Sequence, residues 1–336
     1  MAADELVPTS DAANAVRECS ADPRISVVIP SYHAEDTIMR AVESALSQCA
    51  GDVAIVVVID DCSQSTLRLL QRRHDDRVHL LMNEGNVGAP ASRNRGLAMV
   101  RSPHVAFLDA DDFYEGDFLG PLIDKMEAER ADIGFGPSLY WNERDGLTHT
   151  FVPDYQDNSD VFYRWFSGIN SVNTCSVVWR TSYLREIGGW DETIERNQDG
   201  ELALRAILMG AKFSMSAEGA GVWFNDVSVP SITTRKDNLD RLFDVVRKFE
   251  RMPSKFVPDQ VRLRACAAQL HNIAHVSYRA GMDAVGAEAI RRRRALGFRN
   301  RDGELRDRIS VGLRVLPIPV RSLVWQIAQL VRQALR

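Results

Sequence analysis

Short apolar runs and helical patterns alternate along the first third of the chain. Four runs are rich in β-branched and other apolar residues, namely ISVVIP at 25–30, VAIVVVIDD at 53–61, VHLLMN at 78–83 and VAFLD at 105–109. Runs of this kind form strands that are covered on both faces of a sheet. Between them, apolar residues recur at helical spacing, as at Ile38, Val42 and Leu46. The alternation predicts an α/β fold with a mostly parallel, Rossmann-like sheet and helices on both faces.

The pattern becomes mixed after this region and then wholly helical. It predicts a helix near 117–130, one strand at 133–141 (IGFGPSLYW), a strand at 175–180 (CSVVWR) and a helix at 198–210 (QDGELALRAILMG). From residue 238 onward we expect helices only. The resulting organisation is a disordered leader at 1–23, a main α/β domain at 24–236, and a helical C-terminal extension at 237–336 that ends in a basic amphipathic tail.

Charge is distributed unevenly. The net charge is −5, yet residues 291–336 hold twelve arginines and only three acidic residues. Such a tail suits an anionic partner, a lipid surface or a nucleic acid, or is simply a solvated helical face. From Val320 onward its pattern is typical of an interfacial helix on anionic lipid, and equally of a helix packed on this protein or on another subunit. We expect peripheral membrane contact through the tail and no nucleic-acid partner.

The N-terminal sequence and the cysteine pattern indicate the cellular compartment of the protein. The N-terminal residues are acidic where a signal peptide is basic and then apolar, and no apolar run reaches the roughly 18 residues of a membrane span. The five cysteines are odd in number and include no CxxC pair, which argues against a disulfide framework and a zinc site. These features predict a cytoplasmic protein, placed at the inner face of the cell membrane where its tail binds lipid.

Polar residues follow three of the predicted strands. Residues 30–32 follow the first strand, Asp60 and Asp61 end the second, and residues 109–112 follow the fourth. Ligands of open α/β sheets bind at the carboxyl ends of the strands. The three strand ends therefore predict one polar ligand site.

Asp109, Asp111 and Asp112 form the most unusual of these groups. Three carboxylates this close repel one another unless a cation or several donors neutralise them. Their oxygens suit Mg²⁺ or Mn²⁺, which keeps one or two protein carboxylates and takes further ligands from substrate phosphates. The alternative interpretation is the N-terminus of a helix enriched in Asp.

Three further features have both a ligand-binding and a structural interpretation. Asp60 and Asp61 suit a base N–H or a ribose hydroxyl, or form a turn. The segment NEGNVGAPASRNRGL at 83–97 joins a glycine-containing loop to a helix bearing Arg93, which suits phosphate but lacks a Walker A pattern. Asp199 opens a helix and is either a general base or a capping charge.

Six segments together indicate a family. SVVIPSY, VVVIDDCSQ, NVGAPASRNRGL, FLDADD, IGGWDE and QDGELALRAILMGAKF follow one another in an order and spacing that resembles the family 2 inverting glycosyltransferases, which have a GT-A fold. The resemblance covers about residues 25–234. It implies a bacterial enzyme of polysaccharide or glycoconjugate biosynthesis. Its donor would be a nucleotide-diphosphate sugar, a UDP-sugar in particular, and its acceptor a saccharide or a lipid-linked hydroxyl.

The resemblance also implies a role for each matching residue. These roles are donor-nucleotide contact for Pro30, Tyr32, Asp61, Arg93, Asp109 and Asp111, metal binding for Asp111 and Asp112, general base for Asp199, and the acceptor side for Trp190 and Asp191. Asp109 and Asp111 match the DxD pair, and the implied cofactor is Mn²⁺ or Mg²⁺. A single displacement, with Asp199 taking the acceptor proton, would invert the anomeric carbon of a hexosyl or N-acetylhexosaminyl group.

The chain departs from the family pattern in two places. Gln198 stands where a Glu usually precedes Asp199, which changes the electrostatic setting of the base. The segment VWFNDVSVPSITTR keeps Ser231 and Thr233 but has no His, so a third protein ligand to the metal is missing from the pattern.

Two other functions are compatible with an acidic α/β site. A sugar-1-phosphate nucleotidyltransferase needs a glycine-rich, basic loop directly after the first strand, where this chain has PSYHAED. A noncatalytic sugar-nucleotide-binding protein would tolerate the loss of Asp199. Replacement of this residue therefore distinguishes a binding protein from a transferase.

Overall fold

The computed structural model of the protein describes residues 23–142, 144–225 and 239–297. Three predictions lie outside these residues. They are the disordered leader (apart from its last residue), the roles of Ser231 and Thr233, and the basic tail beyond residue 297 with its membrane contact. The boundary expected at 236 lies outside them too, so the division into domains stays a prediction.

Strands and helices alternate in the described residues as the sequence pattern predicts. Strands β1 to β11 are Ile25–Ser31, Val53–Ile59, Val78–Met82, His104–Phe107, Phe113–Glu115, Ile133–Phe135, Ser138–Asn142, Gly146–Phe151, Val177–Arg180, Phe213–Met215 and Ala220–Asn225. Helices α1 to α10 are Ile38–Leu46, Gln64–Gln71, Ala89–Met99, Leu119–Glu129, Asn158–Phe166, Thr181–Glu186, Gln198–Leu208, Leu242–Arg251, Asp259–Ala280 and Asp283–Ala295. No helix in these ranges combines the length and apolar character that crossing a membrane requires.

Seven strands form the central sheet, in the order β10-β6-β9-β4-β1-β2-β3. Only β9 runs antiparallel to its neighbours, β4 and β6, whereas the other pairs are parallel. The predicted mostly parallel α/β fold is therefore confirmed. The chain adds β2 and β3 on one side of β1 and β4 on the other, so the order of strands reverses at β1. Ligands bind at such a reversal in open α/β sheets.

Both faces of the sheet are covered, because successive strand residues point to opposite sides. Val27 and Ile29 join an apolar cluster that includes residues of α1 and α4. Val28 joins the other cluster, which includes Leu97 of α3 and most apolar residues of α7. Strands with two buried faces read as continuous apolar runs, as β1 and β2 do.

The strand expected over IGFGPSLYW is wrong as a single element. The structure divides it into β6 and β7, which belong to different sheets, with Gly136 and Pro137 between them. A Cβ on Gly136 would lie 2.1 Å from the ring of Phe118, so only glycine permits this approach, and proline cannot donate to a ladder. β7 enters a second sheet of order β5-β11-β7-β8, in which the edge strand β8 is mostly exposed.

The described part of the C-terminal extension packs on the main domain. α9 contacts α5, and α8 and α10 contact α9. The ring centroid of Phe249 in α8 lies 5.4 Å from that of Phe162 and 5.0 Å from that of Phe166, both in α5. Apolar residues of α8 to α10 belong to the same cluster as those of α3 and α7. These helices therefore share one core with the central sheet.

Gly96 allows α3 to pack closely on the sheet, which makes a stability prediction possible. A Cβ at this position would lie 2.4 Å from Val28 Cγ1 and 3.3 Å from Val58 Cγ2. We expect Gly96→Ala to lower the free energy of unfolding by about 2 kcal/mol, because overpacking outweighs the better helix propensity of alanine. Urea denaturation measures the change.

Gly85→Ala is the matched control, because a Cβ there meets no atom within 4 Å. It should unfold at the same urea concentration as the wild-type protein. Equal stability of Gly96→Ala and Gly85→Ala would contradict the close approach of α3 to β1.

Candidate active site

The carboxyl ends of three adjacent strands meet at one edge of the central sheet. β4, β1 and β2 are parallel neighbours. β1 ends with Pro30 and Ser31 and leads into Tyr32, β2 leads into Asp60 and Asp61, and β4 leads through residue 108 into Asp109. The structure thus brings together the three polar segments that the sequence places after strands.

Asp61 is held by the backbone that follows these strands. Its carboxylate accepts hydrogen bonds from His33 N at 2.7 Å and Ser63 N at 3.0 Å, and it lies 3.1 Å from His33 Nδ1. Only 3% of its side chain is exposed. Tyr32 is 51% exposed, and its ring centroid lies 4.2 Å from that of His33. An exposed ring and a fixed carboxylate thus lie together at the end of β1, beside Pro30, where contact with a nucleobase is predicted.

Asp60 has a different, structural role. It is buried and accepts hydrogen bonds from Asn83 Nδ2 at 2.6 Å and from the backbone N–H groups of Val87 and Gly88, both at 2.9 Å. Gly88 has a φ of 88° and begins the turn into α3. Asp60 therefore shapes the glycine-containing loop, and the nucleotide contact of Asp61 stays a prediction.

The acidic cluster consists of three carboxylates in different environments. Asp109 is half-buried, Asp111 is exposed and Asp112 is buried. Arg93 Nη2 lies 2.5 Å from Asp109 Oδ1, and Asp112 Oδ1 accepts a hydrogen bond from Phe224 N at 3.0 Å. Asp112 thereby ties the acidic turn to β11 of the second sheet.

Burial and neighbouring negative charges raise pKa values in the acidic cluster. Asp111 keeps solvent access, but the surrounding protein displaces part of its water, and together with the charge of Asp109 this raises the pKa of Asp111 to about 6. Burial, followed by the charges of Asp111 and Asp109, also raises the pKa of Asp112. A bound cation would relieve this repulsion.

Arg93 links the acidic cluster to the opposite wall of the site. The residue is 5% exposed, and its guanidinium carbon lies 4.4 Å from the ring centroid of Trp190. Besides its ion pair with Asp109, it donates from Nη1 to Gln198 Oε1 at 3.3 Å. Stacking on the indole fixes the plane of the guanidinium while both edges bind oxygen.

Asp199 lies in the first turn of α7, next to Gln198. It is half-buried. Loss of water around the carboxyl, with a smaller contribution from the charge of Asp109, raises the pKa of Asp199, while hydrogen bonding to Gly200 N and the charge of Arg93 oppose the rise. The Gln198 amide oxygen accepts from Arg93 without adding a negative charge beside Asp199. This contact gives the departure from Glu at position 198 a physical effect.

Trp190 and Asp191 have clear structural contacts. Trp190 is 4% exposed, lies under Arg93 and packs edge-on against Phe107 of β4, with 5.1 Å between the ring centroids. Asp191 Oδ2 lies 2.5 Å from Lys248 Nζ. Although burial raises it, hydrogen bonds from Lys248 and Thr193 lower the pKa of Asp191 to about 2. The acceptor-side role of the two residues stays a prediction, because these contacts describe support.

The described residues contain no group of three His, Cys, Asp or Glu side chains arranged to hold a metal ion. Mg²⁺ bound together with a diphosphate keeps only one or two protein carboxylates. Asp111, exposed and with a raised pKa, fits such a cation. Asp112 fits less well, because it is buried and one of its oxygens is bound to Phe224 N.

Arg40 is a basic residue of the site that sequence reasoning missed. It donates from Nη2 to Asp111 O at 2.6 Å, and its guanidinium carbon lies 4.7 Å from the ring of Phe113 and 4.1 Å from that of Phe224. In the sequence it is one polar position of an amphipathic helix, so nothing local marks it. Its contacts depend on how α1 packs against β5.

The second sheet adds an aromatic surface that was also missed. Tyr140 of β7 and Trp223 of β11 are register partners, with 5.9 Å between their ring centroids, and both are half-buried. His149 of β8 packs on the Tyr140 ring at 5.3 Å. Burial first, and the charge of Asp199 among smaller contributions, raise the pKa of Tyr140. Tyr140 therefore lies within electrostatic range of Asp199.

Comparison with known proteins gives a family match for one part of the chain. Residues 26–182 match the model of the family described as glycosyl transferase family 2. This segment contains β1 to β4, the acidic cluster and Arg93. The match confirms the family resemblance inferred from the sequence.

Two curated bacterial proteins illustrate the similarity to known sequences. Succinoglycan biosynthesis protein ExoO of Rhizobium meliloti is 39% identical over 112 residues, which are 33% of this chain and 32% of ExoO. An Escherichia coli protein, UDP-Glc:alpha-D-GlcNAc-diphosphoundecaprenol beta-1,3-glucosyltransferase WfaP, is 32% identical over 121 residues, 36% of this chain and 47% of WfaP. The matches thus span less than half of either relative.

Solved structures show the same fold. Staphylococcus aureus TarS superimposes with a TM-score of 0.57 at 17% identity, covering 81% of this chain and 50% of TarS. The structure of TarS 1-349 in complex with UDP-GlcNAc gives a TM-score of 0.56 at 17% identity, covering 74% and 72% of the two chains. The predicted GT-A fold with C-terminal helices is confirmed.

The raised pKa of Asp111 gives a pH-dependent stability prediction. Its folded pKa of about 6 exceeds the unfolded value of 3.8, so its ionisation destabilises the metal-free protein as pH rises from about 4 to 6. At pH 7 Asp111→Asn should therefore raise stability by roughly 1 kcal/mol, after discounting for solvent access. The gain should vanish by about pH 4.

Thermal melts with a chelator at several pH values measure this difference. Glu115→Gln removes an exposed carboxylate of β5 and should leave the melting temperature unchanged at every pH. A gain for Asp111→Asn that stays constant with pH would contradict the electrostatic origin.

Proposed function

We propose that the protein is an inverting glycosyltransferase. It moves a hexosyl or N-acetylhexosaminyl group from a nucleotide-diphosphate sugar, in particular a UDP-sugar, to a hydroxyl of a saccharide or lipid-linked acceptor. Family membership supports the reaction class. WfaP, whose name contains UDP-Glc, and the TarS complex with UDP-GlcNAc support the kind of donor.

One observation carries the proposal. Arg93 contacts Asp109, at the end of β4, and Gln198, the residue before Asp199 in α7. A single buried cation thus joins the acidic cluster of the family-matched segment to the first turn of α7, which lies beyond that segment. The proposed donor carboxylates and the proposed base lie on two sides of one guanidinium.

The chemistry follows from this arrangement. Pro30, Tyr32 and Asp61 bind the nucleobase, and Asp109 and Asp111 lie beside the ribose and diphosphate. Asp199 removes the proton of the acceptor hydroxyl as its oxygen bonds to the anomeric carbon, and the bond from that carbon to the diphosphate breaks on the opposite side. The raised pKa of Asp199, caused mainly by loss of water around the carboxyl, makes its carboxylate a stronger base.

A divalent cation, Mn²⁺ or Mg²⁺, would be held by Asp111, with Asp112 behind it. Bound there, it would supply positive charge that stabilises the departing nucleoside diphosphate. Arg40 contacts the backbone of Asp111 and Arg93 pairs with Asp109, so both add fixed positive charge beside the acidic cluster.

The acceptor would enter beside Tyr140 and Trp223. Partly exposed aromatic rings offer flat apolar surface to the C–H face of a sugar, and Asp199 lies near this pair. The family match favours transfer over a nucleotidyltransferase. The distinction between a transferase and a noncatalytic sugar-nucleotide-binding protein requires an experiment.

Replacement of the proposed base is that experiment. We expect Asp199→Asn to lower the rate of nucleoside diphosphate release by about 10² to 10⁴-fold, because asparagine cannot accept the acceptor proton. Donor affinity should be retained, because the amide is isosteric. The rate is measured as UDP released from UDP-glucose or UDP-GlcNAc, and affinity by isothermal titration calorimetry.

Glu195→Gln is the control for Asp199→Asn. Glu195 is exposed, four residues before Asp199, and pairs with Arg241 at 3.4 Å. This variant should turn over at the wild-type rate. UDP release by Asp199→Asn at that same rate would exclude the assigned base. Donor binding by the wild-type protein without any UDP release would instead favour a binding protein.

A thermal-shift screen tests the donor and the cation together. We expect one nucleotide sugar to raise the melting temperature by several degrees in the presence of Mn²⁺, since ligand at about 100 times its dissociation constant adds about 2.7 kcal/mol. The shift should vanish with a chelator and in Asp111→Asn, and persist in Glu115→Gln. A full shift in Asp111→Asn would contradict its role as ligand to the cation.

A further inference from the structure

Lys248 of α8 contributes to the architecture of the site from outside the family-matched segment. Its Nζ lies 2.5 Å from Asp191 Oδ2 and 2.6 Å from Glu201 Oε1. Asp191 belongs to the loop before α7, and Glu201 to the first turns of α7 itself. One ammonium group of the C-terminal helices therefore bridges two segments of the site.

Glu201 cannot be ionised and buried without such partners. Its side chain is 1% exposed, and Oε1 also accepts from Arg205 Nε at 2.7 Å. A buried carboxylate is stable only when it is paired and hydrogen-bonded. Arg205 in turn donates to the backbone carbonyls of Ile187 and Gly189. Two cations thus fasten the loop before α7 to the helix, one through its carbonyls and one through Asp191.

Both fastened segments lead directly to the reacting groups. Trp190, next to Asp191, supports Arg93 and through it Asp109. Asp199 lies two residues before Glu201 in α7. Lys248 therefore contacts both the loop that carries Trp190 and the helix that carries Asp199.

We propose that Lys248 is a positioning residue, by which the C-terminal helices hold the loop at 188–197 and the N-terminus of α7 in register for transfer. The inference rests on the proposed function for its kinetic consequence. Without the Lys248 ammonium, the carboxylates of Asp191 and Glu201 lose their shared cation, and only Arg205 remains to neutralise Glu201. The loop would move away from α7, and misplacement of a base by about 1 Å can lower turnover 10²-fold.

Lys248→Met tests the inference, because methionine keeps much of the apolar stem and removes the charge. We expect kcat for nucleoside diphosphate release to fall about 10- to 100-fold with a smaller change in KM for the donor, since Asp199 is displaced more than the nucleobase site. Lys248→Arg should recover part of the loss. Arg247→Met, the neighbouring exposed cation of α8, is the control and should keep the wild-type kcat.

Two further measurements separate positioning from a loss of folding. Asp191→Asn should lower kcat in the same direction, and the double variant with Lys248→Met should be little worse than Lys248→Met alone, because both break one contact. Hydrogen exchange of the peptide at 188–200 should accelerate in Lys248→Met and not in Arg247→Met, at a temperature at which both are folded.

The outcomes distinguish this inference from the proposed function. If wild-type protein releases UDP while Lys248→Met matches Arg247→Met in kcat and exchange, the positioning role is overturned and the transferase stands. If wild-type protein releases no nucleotide from any donor while exchange still accelerates only in Lys248→Met, the transferase fails and the structural coupling is retained. Additive effects of Lys248→Met and Asp191→Asn would also overturn the inference.

Discussion

A buried guanidinium holds the two halves of the candidate site together. Arg93 is 5% exposed, stacks on Trp190 and reaches Asp109 on one side and Gln198 on the other. A cation this far from water is stable only while a carboxylate and other acceptors surround it. The loop that carries Trp190, the start of α7 and the end of β4 must therefore all be in place at once, which makes the geometry of the site a property of the whole fold.

The acidic cluster, in contrast, lowers the stability of the fold. Asp111 and Asp112 both have raised pKa values, caused by burial and by their neighbouring charges. Arg93 and Arg40 compensate this charge only in part. A bound cation with its diphosphate would relieve the repulsion between these carboxylates, and this relief would add to the free energy of binding. Proteins commonly have reduced stability at functional sites. The cluster is thus better explained by what it binds than by what it stabilises.

The sequence pattern predicted the central sheet well and the second sheet poorly. β1 and β2 are continuous apolar runs because both of their faces are buried, which a single sequence reveals. The edge strand β8 is mostly exposed and polar, so it has no such signal. Asp61, Asp109 and Asp199 could be proposed from the sequence because the first two lie two residues after a strand and the third opens a helix. The contacts of Arg40 and Lys248 join elements distant in the chain and need tertiary structure.

The C-terminal helices belong to the site as well as to the core. Phe249 packs on α5, and Lys248, one residue before it, turns toward α7 and Asp191. α8 therefore presents an apolar residue to the core and a cation to the framework of the site. Apolar burial fixes where the helix lies, and the ion pairs use that position to hold two segments that the central sheet alone does not connect. Packing of the extension and geometry around Asp199 are consequently coupled through one turn of helix.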